Sequence, residues 1–201
     1  MNDFAVGISY QDDFPNELIA ELEIQLKRTG LTVEVRPREG TIFASLEWTV
    51  PTLIVAYLAK PYFEAFLSEA GKDHYISLKS GLLKLVSHLF GEQPENRERR
   101  RSLLFSLVTT DKSGQSIKCI FPEGASMEQY DLMIEKIHEL LIEDLVTSEQ
   151  SELSTILGSV APTGGTQYIE YSIDDESWLV IDLHKEISAQ AVRSSKKNET
   201  Q

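Results

Sequence analysis

Hydrophobic and polar positions along this chain follow two periods, and the changes from one to the other mark out its elements. Residues 4–10 (FAVGISY) form a short apolar run of strand type. Asp12-Asp13-Phe14-Pro15 follows, an acidic cap with proline in the first turn, and predicts a helix start. Leu18, Ile19, Leu22 and Leu26 then recur at helical spacing, Glu17, Glu21, Glu23 and Lys27 lie mostly outside that stripe, and Gly30 is a stop signal. Residues 31–35 (LTVEV) alternate at period two. Strand, helix, strand at these lengths is the pattern of a right-handed parallel crossover.

Residues 52–58 (TLIVAYL) read either as a buried third strand or as the first turns of a helix kinked at Pro61, and their Thr, Ile and Val content favours the strand. Pro61 starts a helix through Glu69, which Gly71 ends. Asp73 caps another, with Leu78, Leu82, Leu85, Val86 and Leu89 as its stripe and Gly91 at its end. Residues 92–101 (EQPENRERRR) contain nothing apolar and read as a solvated loop or linker. Residues 102–109 and 115–121 form a hairpin around the turn residues 110–114. Ser126 and Gln129 have capping-box spacing at the head of a long helix reaching about Val146. A short helix at 152–157, the connector Pro162-Thr163-Gly164-Gly165 and a second hairpin (167–173 and 178–183) complete the pattern, and from Arg193 the tail reads as disordered.

The fold class expected is α+β: an N-terminal β-α-β unit with two or three further helices, then a β-β-α-β-β antiparallel half. Residues 1–91 and 102–192 are expected to pack as one domain across the polar segment 92–101, with 193–201 as the tail.

Composition narrows the function classes. The net charge of −13 is uneven, −4 over residues 1–100 and −9 over 101–201. A surface this negative repels phosphate backbones, so nucleic-acid binding is disfavoured, whereas solubility in the cytoplasm and inhibition of a basic partner both fit. A single cysteine, Cys119, in an apolar run excludes an internal disulfide and reads as a buried structural thiol. No signal peptide is expected, and the longest apolar stretch, 50–67, is broken by Lys60, Pro61 and Glu64, so no transmembrane segment is expected either.

Chemistry-bearing groups are sparse. Glu135 and His138 make one Glu-x-x-His pair, half of what a di-metal bundle requires, and His138 flanks the Ile134/Ile137/Leu141/Leu145 stripe, so it reads as a histidine at the edge of the core; no metal site and no cofactor are expected. Asp182 and His184 share one face at the end of the last strand but lack a nucleophile. Gly164-Gly165 lacks the lysine and following helix of a phosphate loop and reads as a flexible connector. Arg97, Arg99, Arg100 and Arg101 make a basic spot among glutamates. The helix 127–146 carries Glu128, Asp131, Glu135, Glu139, Glu143 and Asp144 against one lysine, Lys136. Glu135, Glu139 and Glu143 are therefore candidate contacts for a basic protein partner. The aromatic-rich stretch 50–90 reads as core, with a homo-oligomer interface or a reversible membrane-surface contact as the sharper alternative.

The opening, Val6-Gly7-Ile8-Ser9-Tyr10-Gln11-Asp12-Asp13, a helix, then Gly30-Leu31-Thr32-Val33-Glu34-Val35, resembles the start of a TIR domain over about 35 of 201 residues. In that family a Phe-Ile-Ser-Tyr-like strand precedes an acidic loop, a helix and a strand beginning after glycine. The resemblance implies a ligand crevice at the carboxyl edge of the sheet lined by Ser9, Tyr10 and Asp12, and cleavage of NAD or binding of a related nucleotide, with Glu64 or Glu69 as the catalytic glutamate. The family's Trp-Cys pair is missing from residues 59–69. The lack of a catalytic set and the skewed charge favour a non-enzymatic interaction or regulatory module of inhibitor or immunity type. The NAD-cleaving enzyme is the alternative.

Overall fold

A computed structural model describes residues 4–12, 14–38, 52–68, 71–186 and 188. β1 (Val6–Gln11) and β2 (Val33–Arg38) pair in parallel across α1 (Asn16–Arg28), as the opening pattern implies. The ambiguous segment is a strand, β3 (Ile54–Leu58), and it runs antiparallel to β1 on the side away from β2. Arg38 ties β2 to the approach of β3 by donating to the carbonyls of Thr52 (2.9 Å) and Leu53 (3.3 Å).

α2 (Lys60–Phe66) and α3 (Gly71–Phe90) return the chain to β4 (Arg100–Thr110), parallel to β3. A hairpin gives β5 (Ser116–Glu123); α4 (Met127–Val146) and α5 (Glu152–Leu157) then cross to β6 (Thr166–Ser172), and a second hairpin gives β7 (Ser177–Val180). The described strands form one seven-stranded mixed sheet in the order β2-β1-β3-β4-β5-β6-β7, so both halves of the chain share it. The α+β class stands. Both hairpins are antiparallel, but the pair between them, β5 and β6, is parallel, because α4 and α5 make a connection long enough for a crossover.

α1 to α5 lie on one face. α3 packs against α1, α2 and α4, and α4 against α5. The strands meet this layer with a row of aligned apolar residues: Val35, Ile8, Ala56, Leu107, Cys119, Ile169 and Val180. The matching row on the other face reads Arg36, Ser9, Val55, Ser106, Ile120, Glu170 and Leu179. On that side Ile120, Tyr168, Ile181 and Leu183 make a second, small core.

Several boundaries differ from the sequence pattern. α1 is capped by Pro15 without a side-chain cap; Asp12 is exposed, and the Asn16 Oδ1 accepts instead from the Tyr10 hydroxyl (2.6 Å). Gly71 begins α3 rather than ending α2: a Cβ built there would lie 1.6 Å from the Phe66 carbonyl oxygen, so the corner between the two helices admits only glycine. The last strand ends at Val180, and residues 183–186 form a helical turn, with Asp182 accepting from the Lys185 amide (2.9 Å).

Segment 92–101 is less solvated than its composition suggests. It contains a 3-10 turn at Pro94–Asn96 and supplies Arg97 and Arg100 to the buried Glu123 (3.1 and 3.3 Å). Arg101 joins Glu170 (2.7 Å) and Glu186 (2.8 Å), which fastens the final helical turn to the face of the sheet opposite α1 to α5. The expected tail, 193–201, lies outside the described residues.

Replacing Gly71 by alanine is expected to cost about 3 kcal/mol, because backbone rather than a movable side chain stands in the way. Gly30→Ala, at a positive φ with open space around it, should cost about 1 kcal/mol. Urea titrations of the two variants beside the parent check the ranking.

Candidate functional site

The most unusual side-chain cluster sits where α2, α3 and α4 meet. The α2 helix starts directly after β3 with Pro61 in its first turn and buries Tyr62 and Phe63. The first turns of α3 present Tyr75 and Lys79, and the middle of α4 presents Asp131, Glu135 and His138 at helical spacing. The His138 ring is tilted over Tyr75 (centroids 4.3 Å apart) and meets Phe66 (4.5 Å) and Tyr62 (5.9 Å) edge-on. On the solvent side, the Lys79 ammonium bridges Asp131 (2.8 Å) and Glu135 (3.3 Å) and lies 5.9 Å from the Tyr75 ring.

The electrostatics follow from burial. Desolvation lowers the His138 pKa to about 4, so the imidazole is neutral at physiological pH. Desolvation also raises the phenol of Tyr62, with the neighbouring Tyr75 adding to the effect. Tyr75 is raised as well, by burial first; Lys79 opposes this while Glu135 and Asp131 reinforce it. For Lys79 itself, burial pulls the pKa down, and hydrogen bonds to Asp131 and Glu135 more than offset that. The Tyr62 hydroxyl and His138 Nε2 are buried without a hydrogen-bond partner among the described residues, while the Tyr75 hydroxyl interacts with Lys79. The cluster is thus a desolvated, packed group of aromatic rings around a neutral histidine, flanked on its solvent side by an ion bridge.

The candidates read from the sequence are distributed differently. Ser9 and Tyr10 are buried near the end of β1 and Asp12 is exposed just beyond it. Glu64 is exposed on α2, paired with Lys60 (3.4 Å). Because β3 is antiparallel to β1, with Tyr10 opposite Ile54 and Val6 opposite Leu58, α2 leaves the sheet at the edge where β1 enters. Glu64 is therefore at the opposite edge from Ser9, Tyr10 and Asp12, and the two sets do not share a crevice. Glu69 lies outside the described residues.

The acids of α4 divide by role. Asp131 and Glu135 hold Lys79, and Asp144 is buried, accepting from the Ser151 hydroxyl and the Lys112 amide (2.9 Å). Glu143 accepts from the Glu152 amide (3.3 Å), and Glu139 is exposed. Asp182 and His184 are not a strand-end pair, since Asp182 opens the last helical turn and His184 is exposed on it. Cys119 is buried in the sheet and burial raises its pKa, as expected of a structural thiol. Gly164 and Gly165 occupy positive φ in a tight turn closed by mutual Thr163–Thr166 hydrogen bonds. Among the described residues, no group of three His, Cys, Asp or Glu side chains could hold a metal ion.

Within the aromatic-rich stretch, Tyr62 and Phe63 are core, while Leu67 and Ile76 are more than half exposed. Among the described residues no helix is long and apolar enough to cross a membrane.

The components of the His138 cluster are visible in the sequence as an aromatic excess in 50–90 and a histidine at the edge of the α4 stripe. Their convergence is not, because Tyr62 and His138 are 76 positions apart in the chain. Comparison with protein-family models, with curated proteins and with solved structures gives no match for this chain.

Neutral burial of His138 has a pH signature. The unfolded chain takes up a proton near pH 6.5 that the folded chain refuses until about pH 4. Stability is therefore undiminished above pH 6.5 and falls as the pH drops towards 4, by about 3 kcal/mol from this one group. His138→Gln should flatten that part of the profile, as measured by urea midpoints at pH 7, 6, 5 and 4 in parallel with the parent.

Proposed function

We propose that this chain is a cytoplasmic, non-enzymatic regulatory module that docks a basic protein on the C-terminal half of α4 and the start of α5. The observation that carries the reading is the anionic surface left once the internal acids are set aside. Glu139 and Glu152 are exposed, Glu143 is half-buried between them, and Glu149 follows on the connecting turn. Among the described residues none of these four is ion-paired with a cationic side chain. The nearby Lys112 is spent on the Thr147 and Glu149 carbonyls (3.2 and 2.7 Å) and on Asp144 (3.7 Å).

Unneutralised charge concentrated at one end steers a cationic partner and fixes its orientation. Glu135 belongs to the Lys79 bridge, so the contact reading shifts from Glu135, Glu139 and Glu143 towards Glu139, Glu143, Glu149 and Glu152.

Affinity capture from the native host, followed by titration of the purified partner, tests this. The Glu139→Lys/Glu143→Lys/Glu152→Lys variant should keep the parent's circular dichroism and bind at least tenfold more weakly. Parent binding should also weaken as salt rises from 50 to 500 mM. Equal affinity of parent and variant, or salt-independent binding, rejects the docking surface.

A further inference from the structure

The chain is bound to the rest of the protein in two different ways on either side of Val180. Before it, β7 belongs to the main core: Trp178 is buried there, meets Phe121 and Tyr171 edge-on (5.4 Å each) and donates through Nε1 to the Met133 carbonyl of α4 (3.4 Å). After it, residues 181–186 lie on the opposite face of the sheet. Ile181 and Leu183 pack with Ile120 of β5 and Tyr168 of β6, and these four side chains form a buried cluster separate from the main core.

Polar contacts add little to that attachment. The Ile181 amide donates to the Tyr168 carbonyl (2.8 Å), and Arg101 of β4 donates to both carboxylate oxygens of Glu186 (2.8 and 3.0 Å). Other hydrogen bonds of the turn close on itself: the Lys185 and Glu186 amides donate to Asp182 (2.9 and 3.1 Å), and the Ser188 hydroxyl donates to the His184 carbonyl (2.7 Å). The ties to the sheet found among the described residues are therefore two apolar side chains, one backbone hydrogen bond and one arginine. A segment with so few buried contacts can open at a free energy well below that of the whole domain. Its own hydrogen bonds can survive the opening, so it can leave as a unit.

We infer that residues 181–186 are a releasable strap, which lifts from the sheet about the Val180–Ile181 junction while the seven-stranded domain stays folded, with Arg101 as its latch. Two hydrogen bonds to Glu170 (3.0 and 2.7 Å) hold the Arg101 guanidinium on the sheet, so the latch stays formed when Glu186 leaves. Opening removes the cover that Ile181 and Leu183 give to Ile120 and Tyr168. A chain end that merely frays behaves differently. It loosens residue by residue from Glu186 inward, and the Ile181 amide is indifferent to the arginine. In a strap, Ile181 and Glu186 open together, although only Glu186 touches Arg101.

Native-state hydrogen exchange on the full chain, in urea below the unfolding transition, tests the strap. The Ile181, Lys185 and Glu186 amides should share one opening free energy, lower than that of the β5 amides and nearly independent of urea, because little surface is exposed. Glu186→Ala should speed exchange at all three by about tenfold, Ile181 included, and leave the β5 amides unchanged. Arg101→Gln should have the same effect on the strap. Glu186→Ala keeps the Arg101–Glu170 pair, so it remains informative if Arg101→Gln folds poorly. Exchange of the three amides only through global unfolding, at the free energy of the β5 amides, overturns the inference. So does graded exchange in which Ile181 does not respond to Glu186→Ala.

Discussion

α1 to α5 depend on one strip of side chains, the apolar row Val35, Ile8, Ala56, Leu107, Cys119, Ile169 and Val180 that crosses the seven described strands of the sheet. A helix can bury its stripe only against a surface that continues beneath it, and this row provides one with no charged residue in it. α3 occupies the middle of the helical layer, touching α1, α2 and α4. Gly81 allows α1 that close: a Cβ built there would fall 2.3 Å from Leu22 Cδ1. At its far end Phe90 of α3 stacks on Tyr130 of α4 (5.2 Å, planes within 1°). Burying this row and the stripes above it is the main favourable contribution to folding.

Polar groups then fix details that apolar contact leaves loose. Glu123, almost wholly buried, receives Arg97 and Arg100 and so orients the segment entering β4. Asp144 ties the β4–β5 turn to the start of α5 through Lys112 and Ser151. Arg101 holds Glu170 and Glu186, and those hydrogen bonds keep the Glu186 carboxyl below its ordinary pKa. Removing one member of such a set leaves the others buried and unmet, so each behaves more as a constraint on geometry than as a source of stability. The cluster around His138 is the exception, since the Tyr62 hydroxyl and His138 Nε2 have no such partners among the described residues.

Much of this was legible in the sequence where the signal is local. The two hairpins, the Ser126–Gln129 capping box and the choice of strand for 52–58 depend on neighbouring residues, and the structure has them. Strand order was not legible. Nothing in LTVEV or TLIVAYL says that β3 will sit beside β1 with reversed direction, and the handedness preference for crossovers gives no guide here. Viewed from the helical face, the β1-to-β2 and β3-to-β4 steps turn one way and the β5-to-β6 step the other, so the three cannot share a hand. Gly71 was misread because glycine's commonest helical role is to end one, whereas here it permits a corner. The α4 acids looked equivalent because sequence spacing cannot show that Lys79 or Ser151 waits opposite some of them.

The strand order also bears on how the chain could be assembled as it is made. Apart from β2, which adds at the left of β1, every strand joins the edge left by the one before it: β3 on β1, then β4, β5, β6 and β7 in turn. No strand has to be held open for a segment that arrives much later, and from β3 onward the sheet grows at one edge while β2 keeps the other. A chain leaving the ribosome could lay down this sheet in the order of synthesis, with each helical connection covering the strip it has just crossed.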